Sequence, residues 1–138
     1  MAPQAIKVGV IACCGEEIPE GTIARVATRL VLEKLRPEDT VTVCLPLFLT
    51  GDKNESDFAK VYPTITVDGC DKLCAKNATD KLSGKPTYYV LVSEVTKRHP
   101  EIRLQNLDKL NDDEMKIAQE LAEEIAAKVD RILKRAPK

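Results

Sequence analysis

Three short apolar runs of this chain carry a cysteine at or just past their carboxyl ends, and that recurrence restricts the fold more than any other feature. The runs cover residues 6–12, 40–45 and 64–67, and the cysteines are Cys13, Cys44 and Cys70. The first run, Ile-Lys-Val-Gly-Val-Ile-Ala, is almost continuously apolar, as expected of a central strand in a parallel sheet. The second and third are short and rich in Thr and Val, and read as strands too. A fourth strand is predicted over 88–92.

Helical periodicity separates these runs. From about Glu20, Ile23, Val26, Ala27, Leu30 and Val31 share one face, and Pro37 ends the segment. Pro46 stops the second strand and an apolar loop follows over 47–52, with a short helix predicted over 55–61. A further helix is predicted over 71–82, closed by Gly84 in the usual terminal position. The alternation implies a three-layer α/β fold of Rossmann/flavodoxin-like type, a mainly parallel four-stranded sheet with helices on both faces. Right-handed crossovers leave few topologies, and the order 2-1-3-4 is expected. It places the order reversal between the first and third strands, where such sheets bind ligands beyond the strands' carboxyl ends. Cys13 and Cys70 would flank that point, with Cys44 on the neighbouring strand end.

Residues 96–111 are polar and carry the lone His99, read as a surface residue. Asn111 followed by Glu114 has the spacing of a capping box. Ala118, Leu121, Ala122, Ile125, Val129, Ile132 and Leu133 then form one stripe on a helix over 112–134, roughly 34 Å long. Covering a sheet face is the expected use of this stripe, with a coiled-coil dimer as the alternative.

The chain has 138 residues, a formal net charge of -1, two Phe, three Tyr and no Trp. It is read as a single domain, 1–138, with an aliphatic core. No basic patch suggests nucleic acid, and no run of eighteen apolar residues suggests a membrane span. The five cysteines all lie before residue 75; their odd number and uneven placement argue for a reducing, cytoplasmic setting over a disulfide scaffold. The sequence Val-Ile-Ala-Cys13 has the shape of a lipoprotein cleavage box, but the preceding apolar run is too short for a signal segment.

Cys74 stands four residues after Cys70, at the start of the predicted helix, and faces the same way. Four thiols converging in such a protein point to a metal. Zinc would take Cys13, Cys44, Cys70 and Cys74 tetrahedrally at about 2.3 Å. The resulting charge of about -2 would need offsetting by N–H groups at helix starts and by Lys72 and Lys76, with Gly15 and Gly69 allowing close backbone approach. Cys14 is read as the spare, because adjacent residues in extended chain point to opposite sides. An iron–sulfur cluster could use the same thiolates, and a thiol redox protein could use Cys13 and Cys14. A phosphatase-type reading of Cys13 fails on the acidic loop after it, whose first arginine is Arg25, inside the helix. Asp68 is read as ordering its turn by accepting N–H bonds.

The block Val67-Asp68-Gly69-Cys70-x3-Cys74-Ala75-Lys76 resembles the signature of the DGC-domain family, named for its Asp-Gly-Cys and described as carrying four potential chelating cysteines. Cys13 falls where that family has the cysteine after the first strand, commonly in Cys-Ser-Gly; Cys14 and Gly15 occupy the next two places. Cys44 matches the cysteine closing the second strand. The loop Glu16-Glu17-Ile18-Pro19 departs from the family's small polar residues. The resemblance covers about residues 6–92 and implies a zinc site with no established reaction. The expected function is therefore a non-catalytic metal-binding protein that stores, senses, delivers or is structured by one zinc ion.

Overall fold

The computed structural model describes residues 6–13, 17–51 and 56–135. Its elements are β1 (Val8–Ala12), α1 (Pro19–Leu30) running into a π-helical turn (Val31–Leu35), β2 (Thr40–Val41), α2 (Leu45–Leu49), α3 (Phe58–Val61), β3 (Thr64–Asp68), α4 (Cys74–Leu82), β4 (Tyr88–Leu91), α5 (Val92–Thr96) and α6 (Asp112–Arg135). The strands form one sheet in the order β2-β1-β3-β4. Every pairing is parallel, with Val10 opposite Ile65 and Thr66 opposite Tyr89. This is the expected topology, and β1 and β3 are neighbours at its reversal.

Alternation along the strands builds two cores of unequal size. Val8, Val10, Ile65 and Val67 face α1 and α6, whose Ile23, Ala27, Leu121, Ile125 and Val129 are fully buried against them. On the opposite face Ile11 packs with Leu45, Phe58 and Ala75, from α2, α3 and α4. The α6 stripe is thus consumed within the chain, which removes the coiled-coil alternative.

β2 is shorter than expected. After two rungs, the Thr42 hydroxyl donates to the Val10 carbonyl oxygen at 2.7 Å, so a side chain takes over from the ladder. Residues 45–49 form α2 where strand end and loop were predicted. Pro46 opens this helix, since a first-turn residue needs no N–H. Gly84 also departs from expectation. The left-handed conformation of a helix-closing glycine is absent there; a Cβ at Gly84 would instead stand 3.2 Å from the Ala59 carbonyl oxygen, so packing accounts for the small residue.

The polar segment before α6 is held by Glu114, which is fully buried. The expected capping box forms: Glu114 N–H donates to Asn111 Oδ1 at 2.8 Å, and Asn111 N–H to Glu114 Oε1 at 2.9 Å. The same carboxylate accepts from Gln105 N at 2.9 Å, Asn106 N at 3.1 Å and Asn106 Nδ2 at 2.5 Å. Burial pushes this carboxyl's pKa up, but the four donors outweigh it and hold it below its ordinary value. His99 lies at the end of this face, half-buried, with Nε2 2.5 Å from Glu120 Oε2, which raises its pKa.

Because the folded-state pKa of Glu114 is depressed, its contribution is present above the free-chain value of about 4.3 and is lost as pH falls through the folded value. Glu114→Gln should cost roughly 3 kcal/mol at pH 7 by orphaning buried donors. Urea unfolding should show that difference shrinking at acid pH; a constant difference would refute the assignment.

Candidate metal centre

The site is organised by the turn between β3 and α4. Asp68, the last residue of β3, is 1 % exposed and turns its carboxylate onto the start of α4. Its Oδ1 accepts Ala75 N–H at 2.7 Å and its Oδ2 accepts Lys76 N–H at 3.1 Å. Burial raises the Asp68 pKa, and these bonds together with Lys76 only partly counter it. The expected role of Asp68 as an acceptor ordering its turn is what the structure shows. It also means that two N–H groups at this helix start are already taken by Asp68, so they do not offset thiolate charge.

Between Asp68 and α4 the chain makes a tight excursion. Leu73 N–H donates to the Cys70 carbonyl oxygen at 3.3 Å, and Leu73 takes the left-handed conformation, φ 55°. Cys70 therefore sits in the turn and Cys74 is the first residue of α4, whereas both were expected near the start of one helix. Gly69 lies directly on the first turn of α1: a Cβ there would stand 2.7 Å from Gly21 N and 2.8 Å from the Glu20 carbonyl carbon. Two glycines thus let backbone meet backbone beside Cys70. On that side Cys13 N–H donates to the Val67 carbonyl oxygen at 3.0 Å, fixing Cys13 beside the same turn.

A cavity of about 630 Å³ opens there. Cys13, Cys70 and Cys74 line it, with Asp68, Lys72 and the aliphatic Ile18, Leu45, Leu49 and Ala78. Cys44 does not reach this cavity. It is exposed and lines a smaller one of about 200 Å³ together with Cys13, Arg25 and Arg29. Cys13 and Leu45 belong to both walls, so three of the cysteines line one space and Cys44 lines the one beside it. Among the described residues, no three His, Cys, Asp or Glu side chains already stand together at metal-holding separation. Cys14 and Gly15 lie outside the described residues. His99 is engaged with Glu120 and Glu101 on α6's side of the sheet and takes no part.

The donor set suits a thiophilic metal. Cys44 and Cys70 lie on irregular backbone between elements, where small shifts cost least. Lys72 lines the larger cavity and Arg25 and Arg29 the smaller, Arg29 being paired with Glu33, while Lys76 lies over the Tyr89 ring at 5.1 Å. The two arginines and the aliphatic wall were missed in the sequence. Gly21, two residues after Pro19, was the available signal for close approach at the start of α1.

The family model of the DGC domain matches residues 9–129. The chain belongs to the DGC domain family, and the match runs past the Asp-Gly-Cys region into α6. No curated protein and no solved structure matches the chain. Among the described residues, no helix is long and apolar enough to cross a membrane.

Gly69→Ala should force the turn off α1, because the atoms in the way are backbone. A loss of roughly 2 kcal/mol is expected, read as a lower midpoint in urea. Unchanged stability would mean that the contact with Gly21 is looser than described.

Proposed function

We propose that this protein holds one zinc ion through the thiolates of Cys13, Cys44, Cys70 and Cys74, in a storage, sensing, delivery or structural role. The observation carrying this reading is the shared cavity: three cysteines from two separate segments line it, and the fourth lines the space adjoining it across Cys13. Family membership supports a metal-binding role. Both oxygens of Asp68 are committed to α4, which supports a holding role over proton transfer. A bound zinc would draw the turn after β3 and the segment before α2 onto Cys13.

Zinc titration and thermal melts of single Ser variants test this. Cys70→Ser should lose most of the zinc, whereas Cys14→Ser should retain close to one equivalent. Metal that binds only the folded protein stabilises it, by about 2.7 kcal/mol at a hundredfold excess over Kd, so chelator should abolish the difference in melting between the two variants. Equal zinc loss in both would make Cys14 a ligand; retention in Cys13→Ser, Cys44→Ser, Cys70→Ser and Cys74→Ser alike would overturn the reading. Elemental analysis and colour of anaerobically purified protein distinguish zinc from an iron–sulfur cluster.

A further inference from the structure

We propose that the free edge of β4 is a docking site for an acidic segment of another protein, which adds to the sheet as an extended strand. The inference stands apart from the zinc reading and uses no cysteine. β4 ends the strand order and, among the described residues, pairs with β3 alone. In an edge strand every second residue turns its N–H and C=O away from the sheet, where a further strand can bond them. β4 has four residues, between Pro86 and α5. The added strand is therefore short, and main-chain bonds supply only part of its affinity.

Charge supplies the remainder and selects the occupant. Alternation sends Tyr88 and Tyr89 to opposite faces of the sheet, and each ring carries cations. Lys76 of α4 stands 5.1 Å from the centre of the Tyr89 ring; Lys128 and Arg131 of α6 stand 5.6 and 6.0 Å from that of Tyr88. Tyr89 is 52 % exposed, and the exposed Lys85 precedes the strand. Two acids lie among these cations. Asp130, between Lys128 and Arg131, spends both oxygens on Arg36, at 2.7 and 2.6 Å. Asp80, a turn on from Lys76, is exposed beside Lys81. Cations are thus in excess on both faces of the edge, and a strand with carboxylates on either side meets opposite charge on each. Nucleic acid fits less well, because bases stack on open ring faces and these two rings lie on opposite faces with cations over them.

Fluorescence anisotropy of the full chain with a labelled peptide of about eight alternating Glu and Thr residues, long enough to span the edge, tests the proposal. The comparison probes are the same peptide N-methylated throughout, its Lys-for-Glu counterpart and an oligouridylate. The Glu peptide should bind saturably, and more weakly as salt is raised. N-methylation keeps the charge and removes every main-chain donor, and should cost roughly tenfold or more. Lys128→Glu combined with Arg131→Glu should cost about tenfold, with an unchanged urea midpoint to show that the variant is folded. Lys76→Gln, on the other face, should cost a few-fold. Hydrogen exchange of amides within 88–91 should slow with the Glu peptide only. Absence of saturable binding, equal binding of the N-methylated or the Lys peptide, tighter binding of the oligouridylate, or protection arising away from β4 each overturns the proposal and leaves the zinc reading intact.

Discussion

A buried carboxylate at the end of a central strand sets the geometry of everything around the cysteines. Asp68 leaves the sheet on the face opposite α1 and grips the first amides of α4 with both oxygens. The bond to Ala75 is buried, so it is stronger than that of an exposed cap. With α4 anchored from behind, residues 69–73 have only a short path, and it runs over the first turn of α1. The left-handed Leu73 and the contact between Gly69 and Gly21 are consequences of that path. Cys70 and Cys74 thus come to one cavity from two different kinds of backbone.

Much of this frame was legible in the sequence because it rests on local, periodic signals. The near-continuous apolar run of β1, the spacing of strands and helices, and the Asn111–Glu114 box each follow from one stretch of chain. The placement of Cys13, Cys44 and Cys70 just past neighbouring strands followed from strand order alone. What could not be read depends on contacts between distant residues. β2 stops early because the Thr42 hydroxyl takes the Val10 carbonyl, and no local pattern announces that exchange. The polar segment before α6 looked shapeless because its order comes from one buried glutamate bonded to Gln105, Asn106 and Asn111 together.

The same division applies to the candidate site. Cysteine positions are chemistry written in the sequence, whereas the partition of their surroundings into two cavities is a property of the fold. Cys13 is common to both cavities because it directly follows β1, the strand that lies between β2 and β3. A residue so placed stands beside both the segment before α2 and the turn before α4, although those segments come from separate parts of the chain.

The two rims of the sheet are finished in different ways, with a consequence for the metal-free chain. β2 offers only two ladder positions before a hydroxyl interrupts it, so a passing extended chain finds almost no template there. β4 is longer, but cations flank it: Lys76 lies over Tyr89, and Lys128 and Arg131 lie over Tyr88. Like charges would meet if two such borders approached each other. Neither protection involves a cysteine, so resistance to strand-mediated aggregation is built in independently of whatever the thiols hold.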